Sequence, residues 1–428
     1  MILVVGRTPA TIMEFPTWVE VDLDRFRRNL AAIQAAIGSG RRILLVVKAD
    51  AYGHGAVEIA RCAVEAGVAM LGVATLHEGI ELRAAGVDAP IVILSPGLHS
   101  EIDEVLEHRL TPCVGNLGFA ETLSERSAQR QVRTRIHVEV DTGMGRTGVA
   151  AEDAVGFIER LVGLPNLTLE GIFTHFPDAD SGRVDVTEDQ LRRFDEVLHG
   201  LALRKIEVPI RHAANSAGIL SVRDSHLDMV RPGILAFGFY PTRDVPRSIP
   251  VEGIMTFKTR VVQIRDIAPG QFISYGRTYR TSKWTRIGVL AVGYGHGYPW
   301  ALGNHGEVLV RGRRAPIVGR VTMDLTMVDL SAIPEVERED EVVLWGEQQG
   351  AAIDLNEVAE RAQTIPYDLL CNMGKRVVRV FLSEGKPPKV LTLIGERQVT
   401  ETVEGGGSSG APRRRRQSVR YKNARSGS

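Results

Sequence analysis

The chain has 428 residues, 24% of them charged and 44% in the hydrophobic set, and its 52 basic side chains balance 52 acidic ones. This is ordinary globular material, long enough for two domains, and a zero balance gives no general pull toward nucleic acid or a membrane surface. Cys62, Cys113 and Cys371 are too scattered for a metal-ligand pair or a secretory disulfide framework, and the opening MILVVGRTPATIMEFP lacks the charged front and long apolar core of a signal peptide, so a reducing, cytoplasmic setting is expected.

In chain order, Trp18 to Asp22 alternates like a short strand. Leu23, Phe26, Leu30, Ile33 and Ile37 then recur at spacings of three and four, giving one helical stripe that Gly38 and Gly40 end. The apolar run from Ile43 to Val47 suits a buried strand and stops at Lys48, after which Tyr52, Gly53, His54 and Gly55 read as a loop. A lysine at the carboxyl end of a parallel strand either snorkels to water or, with its amine desolvated or beside another cation, supports Schiff-base chemistry.

Strand and helix then alternate. Helices are expected at 56–65, 78–85, 100–107, 151–162 and 187–203, and strands at 70–74, 91–94, 111–114, 135–140, 169–175, 209–215 and 226–233. Counted from Ile43 this makes about eight strands, which favours an N-terminal eight-stranded parallel α/β barrel of the TIM-barrel type. Lys48, His175, His212 and Arg231 all fall at its strand ends, where such barrels keep their sites.

The rhythm changes at PTRDVPRSIP, 241–250. Short extended segments follow, among them MTFKTRVVQI, IGVLAVGY, EVLVRG, APIVGRVT, TMVDL and EVVLWG, with a helix near 354–363 and a last strand, RVVRVF. The expected division is a barrel at 15–245, a mainly β domain at 246–381 to which residues 1–14 are a candidate addition, and a flexible basic tail at 382–428 containing Arg413 to Arg416.

Several motifs carry chemistry. EVDTGMGRTG, 139–148, has glycines for a tight turn but not the dinucleotide fingerprint, and its Arg146 either clamps an anionic oxygen or pairs with Glu139 or Asp141. In HAANS, 212–216, Ser216 either reaches a phosphate or caps a helix. Tyr275 in FISYGRTY is either a proton-transfer group or a buried aromatic with a satisfied hydroxyl. VGYGHGY adds Tyr294 and His296; in GRVTMDL, Met323 is core by default and Asp324 a turn residue.

Taken together, VVKADAYGHG, VDTGMGRTG, HAANS, DMVRPG, SYG, VGYGHGY and GRVTMD stand in the order found in the pyridoxal-phosphate-dependent alanine racemases, which the chain resembles over residues 15–381. The resemblance implies a barrel plus β domain, a pyridoxal 5'-phosphate cofactor, no metal, and interconversion of L-alanine and D-alanine by two-base α-proton transfer on the cofactor aldimine, supplying D-alanine for peptidoglycan. Lys48 would carry the cofactor and serve one face of the α-carbon, handling the D-alanine proton. Tyr275 would serve the opposite face, from the other subunit of a homodimer. Cofactor-binding positions would be Lys48, Tyr52, Arg146, His212, Asn215, Ser216, Arg231, Gly233, Ile234 and Tyr367. Arg146, His175, Met323, Tyr294, Asp324 and Glu139 would bind or orient the substrate.

Two positions depart from the family pattern. Glu139 stands where many members have a lysine that becomes carbamylated, and His296 where many have aspartate. Glutamate supplies the negative charge from a shorter side chain, whereas histidine trades an anion for a titratable ring that either retunes specificity or is simply tolerated. A serine or broad-specificity racemase and a noncatalytic pyridoxal-phosphate-binding protein are the alternatives.

Overall fold

The computed structural model describes residues 15–398 and 420–422, and the expectations for residues 1–14 and for Arg413 to Arg416 lie outside that range. The chain forms two compact units, one of Arg25–Gly253 and one combining the segments before and after it. The division therefore falls at Gly253 and Ile254 rather than at 245, and residues 15–24 join the second unit rather than the barrel. The reason is pairing: β1, Thr17–Asp22, lies between two strands of the second unit.

In the first unit, α1, Leu23–Ile37, buries Phe26, Leu30, Ile33 and Ile37, the stripe its sequence spacing predicts. Eight strands then close a parallel ring: β2 (Arg42–Val46), β3 (Met70–Val73), β4 (Ile91–Pro96), β5 (Thr111–Cys113), β6 (Thr134–Asp141), β8 (Leu167–Phe173), β9 (Ile210–His212) and β10 (Met229–Val230), with β10 returning to β2. A short β7, Val149–Ala150, adds to the end of β6. The eight-stranded expectation holds. The helices are α2 (Ala56–Glu65), α3 (Leu76–Ala84), α4 (Ile102–Glu107), α5 (Leu117–Gln129), α6 (Ala151–Val162), α7 (Asp185–Leu203) and α8 (Ser216–Ser221). Of these, α5 and α8 were not expected. Their starts were nevertheless written in Asn116 and Asn215, whose side chains accept from Phe119 N and Gly218 N.

Strand β6 shows how the barrel sorts its residues. Ile136, Val138 and Val140 pack outward into a cluster with Phe119 and Leu123 of α5, Ile158 and Leu161 of α6 and Phe194 of α7. Full burial of each such side chain stabilises the fold by about 1.5–3 kcal/mol. Alternation then turns His137 and Glu139 to the barrel interior, where both are buried.

The second unit is mainly β, as expected. Its thirteen-residue β11, Met255–Ile267, pairs with β1, with β14 (Thr285–Leu290) and with β18 (Glu341–Gln348). The short hairpin β12 (Phe272–Ile273) and β13 (Tyr279–Arg280) precedes β14. β15 (Glu307–Val310), β16 (Arg313–Pro316), β17 (Thr326–Asp329), β19 (Ala351–Ile353) and β20 (Val378–Leu382) complete this part, with α9 (Leu355–Ala362) and α10 (Pro366–Cys371). Of the expected APIVGRVT strand only the start is strand, because Gly319 adopts φ +78 and the chain turns there. Trp18, Phe257 and Trp345 are fully or almost fully buried at the centre, with Phe257 and Trp345 in edge contact at 4.7 Å.

The tail expected from 382 onward is corrected in part. β20 runs on into β21 (Lys389–Thr392), β22 (Gly395–Gln398) and β23 (Arg420–Lys422), paired antiparallel in turn. The short VLTLI run is what permits this: its Val390 is fully buried, in one cluster with Trp18 and Val380.

Candidate active site

Lys48 begins a turn that no residue propensity foretells. Ala49, Asp50 and Ala51 have φ/ψ near 53/52, 55/44 and 51/51, and Tyr52 has φ 54, so four consecutive non-glycine residues are left-handed. Such a conformation costs roughly 1–2 kcal/mol per residue. Contacts hold it in place. Ala51 N donates to Val47 O and Gly53 N to Ala49 O, both at 2.9 Å, while Asp50 Oδ1 accepts from Ala56 N at 2.8 Å. His54 Nδ1 lies 2.9 Å from the carbonyls of both Ala51 and Tyr52, so the proton sits there, and the ring stacks on Phe237. From α3, Glu78 accepts from Ala49 N at 2.7 Å with one oxygen and from Ala74 N and Thr75 N, at 2.7 and 3.1 Å, with the other. A single carboxylate thus ties the lysine turn to the next strand end.

Arg231 follows β10, the strand beside β2, and Val46 N donates to Pro232 O at 3.0 Å across that junction. Its guanidinium is buried. Nη1 donates to His212 Nδ1 at 3.1 Å and His212 O at 3.0 Å, and Nη2 to Thr174 O, Ala213 O and His175 Nδ1 at 2.7, 3.0 and 3.2 Å. All five acceptors are neutral, and among the described residues none takes the Nε–H. Burial lowers this guanidinium to about 10, which still leaves it a cation at neutral pH. Because Arg231 can only donate, the facing Nδ1 atoms of His212 and His175 must accept. Burial, followed by the charges of Arg231, Arg146 and Lys48, takes His175 down to about 3. It is therefore a neutral ring with its proton on Nε2.

Ser216, first residue of α8, accepts from Gly233 N at 3.0 Å and Leu235 N at 3.3 Å. Asn215, not Ser216, caps the helix with its side chain, and it donates to Phe176 O at 3.1 Å. A Cβ on Gly233 would meet the Tyr52 hydroxyl at 2.5 Å, so a larger residue there would displace that ring, and Ile234 is fully buried beside it. Hydroxyls and amides thus converge at one strand end. Arg146 and Glu139 do not pair. Arg146 is exposed, Glu139 accepts from the Thr147 hydroxyl at 2.7 Å, and Asp141 takes the amides of Gly143, Met144 and Gly145. Desolvation pushes the Asp141 carboxyl up, but those three amides and Arg146 together lower it.

The other site candidates belong to the second unit. Tyr275 rides the tip of the β12–β13 hairpin, 72% exposed rather than buried. Ser274, held at φ 65, braces it by donating to Arg320 O at 2.7 Å. Tyr294 N and Gly295 N donate to the carbonyls of Thr322 and Met323, locking two loops together; a Cβ on Gly293 would overlap Thr322 O. Met323 is exposed, against its default as core, and Asp324 pairs with Arg376 at 2.7 Å. Tyr367 is half-buried on α10. His296 is buried, with Nδ1 accepting from Gly293 N at 3.2 Å, and burial lowers its pKa with Arg376 adding to the effect. It is a neutral loop brace.

Sequence reasoning missed Glu78, His137 and Glu170. The signal for His137 was present, since HVEV alternates polar and apolar residues on a strand otherwise buried.

Family models for the alanine racemase N-terminal and C-terminal domains match residues 21–241 and 254–381. The alanine racemase of Halothermothrix orenii is 44% identical over 366 residues, 86% of this chain and 97% of that protein. The solved alanine racemase of Clostridium difficile 630 superposes with a TM-score of 0.85 at 33% identity, covering 89% of this chain and 99% of that one. That of Bartonella henselae, solved with covalently bound pyridoxal phosphate, gives 0.78 at 26% identity over 86% of this chain and 100% of its own. The chain belongs to the alanine racemase family.

Proposed function

We propose that this protein interconverts L-alanine and D-alanine with pyridoxal 5'-phosphate, in the cytoplasm, supplying D-alanine for peptidoglycan. The observation that carries the reading is the placement of Lys48 and Arg231 at the ends of adjacent barrel strands, one an amine on a built turn and the other a fixed cation with an Nε–H that no acceptor among the described residues takes. The residues fit the cofactor. Lys48 supplies the amine for its covalent attachment, while Tyr52, Ser216 and the amides around Gly233 and Ile234 form a cradle suited to its phosphate. Arg231 Nε–H would face the ring nitrogen, with His212 and Asn215 fixing the segments on either side and Tyr367 serving the phosphate. When bound, the cofactor withdraws electron density from the substrate α-carbon and so acidifies its proton.

The protein's own residues then divide the proton work. The Lys48 amine takes or returns the α-proton on the face that D-alanine presents. The phenol of Tyr275, from a second copy of the chain, does the same for L-alanine on the other face. Two groups are needed because one base alone restores the starting configuration. Supporting the second copy, Phe272, Tyr275, Trp284, Met323 and Leu325 are exposed together in the second unit, an apolar set of the kind that protein interfaces cover. Neutral His175 donates from Nε2 and would orient the phenol, while Arg146 would contact the cofactor and substrate oxygens, with Glu139 nearby as the negative charge. Met323 would hold the substrate carboxylate through its backbone, with Tyr294 and Asp324 at the entrance.

The test is incubation of the cofactor-loaded protein with each alanine enantiomer in deuterated water, reading chirality and α-deuterium together. Opposite enantiomer carrying deuterium is expected from both directions. Cofactor binding without exchange would instead mark a noncatalytic protein, and inversion of serine in preference to alanine would shift the substrate.

A further inference from the structure

A polar chain continues from Arg231 through two buried histidines. His212 Nε2 lies 3.0 Å from His137 Nδ1, and His137 Nε2 lies 3.4 Å from Glu170 Oε2. Both His137 Nε2 and Glu170 Oε2 are fully buried, and neither makes a hydrogen bond of good geometry with any described residue, so their 3.4 Å approach is an electrostatic contact. The fold makes room for this contact. The β6–β8 register slips between Ile136 and His137, where His137 comes to face Gly171, and a Cβ on Gly171 would meet the His137 ring at 2.5 Å. The bulge and the glycine together seat the ring and bring Glu170 to it. The other oxygen of Glu170 accepts from Arg135 at 3.2 Å, whose side chain is 64% exposed.

One proton order suits both ends of this chain. Arg231 has no acceptor, so His212 must present a bare Nδ1 to it and carry its proton on Nε2. That proton points at His137 Nδ1, which must then accept, leaving the His137 proton on Nε2, the nitrogen nearest the carboxylate. The reverse arrangement ends with an imidazole N–H facing a guanidinium N–H. Arg231 has no carboxylate among its five acceptors, and Glu170 is the anion at the far end of its relay.

We propose that Glu170 is a positioning residue for Arg231, acting through His137 and His212: it anchors the proton order that keeps a bare imidazole nitrogen against the guanidinium. The kinetic consequence rests on the reading of Arg231 as the ring-nitrogen partner, whereas the proton order does not. The test combines ¹⁵N spectra of the protein labelled in its histidine rings with steady-state kinetics of the cofactor-loaded enzyme on alanine. Wild type should show His137 and His212 neutral and protonated on Nε2. Glu170→Gln keeps an acceptor oxygen and should keep both the tautomers and most of kcat. Glu170→Ala should mix the tautomers and lower kcat about tenfold with KM little changed, a loss of about 1.4 kcal/mol in the barrier. Arg135→Ala breaks only the exposed end and should leave both readouts alone. A proton on Nδ1 of either ring in wild type would overturn the proposal, as would unmoved tautomers in Glu170→Ala or an equal kcat loss in Arg135→Ala. Moved tautomers with unchanged kcat would overturn the link to Arg231's role alone.

Discussion

Two cations stand at neighbouring strand ends of the barrel, and the protein treats them in opposite ways. Arg231 is buried and bonded to five neutral acceptors, so its position is fixed by the strands that carry it. Lys48 opens a left-handed turn whose conformation is locally unfavourable and is held from a neighbouring element by Glu78. One cation is immobilised by satisfaction. The other carries its amine on a segment whose geometry depends on its supports. A group that must exchange protons and bonds needs the second arrangement, and a group that sets a constant field needs the first.

The comparison can be broken most severely at Lys48 itself. Lys48→Ala should lower α-deuterium exchange of both alanine enantiomers by on the order of 10³-fold or more, the scale of losing a positioned base, with the barrel still folded by circular dichroism. Next is the support. Glu78→Ala strands three amides and should cost about 1–3 kcal/mol in denaturant unfolding and about tenfold in kcat. Adding Ala51→Gly should then restore roughly 1 kcal/mol, since glycine adopts φ near 51 without the penalty. If Glu78 is only a helix cap, the glycine would not rescue.

Acid sharpens the Arg231 side. An unfolded histidine titrates near 6.5, whereas His175 in the fold stays neutral down to about 3. Below 6.5 the unfolded chain therefore binds a proton that the folded chain refuses, and stability falls as pH drops from 6.5 toward 3. His212 is lowered by burial in the same direction. His175→Gln should flatten the dependence of Tm on pH in that window, and an unchanged slope would count against a neutral His175. The smallest effect concerns Glu139, which cannot be carbamylated: removing carbon dioxide and bicarbonate should leave kcat within experimental error of its value in their presence.

The barrel was legible because its strands are short apolar runs separated by helical stripes, and chemistry-bearing residues interrupted those runs at Lys48, His175, His212 and Arg231. The unit boundary was less so. Trp18 to Asp22 reads as a strand wherever it pairs, and only the register with β11 and β20 assigns it to the β unit. The left-handed turn was not legible at all, since alanine has no preference for that conformation and the supports come from residues as distant as Glu78. Whether His296 retunes specificity or is simply tolerated was not legible, because sequence carries no burial; the fold buries it as a loop brace. Tyr275 stands at an exposed hairpin tip, the reverse of the buried aromatic weighed against its role in proton transfer.

The division of proton work between Lys48 and Tyr275 is tested most directly by the Tyr275→Phe enzyme with D-alanine in deuterated water. Lys48 acting alone should wash deuterium into the α-position while the product remains D-alanine, with L-alanine formation reduced by about 10²–10⁴-fold. Formation of L-alanine at the wild-type rate would contradict the account.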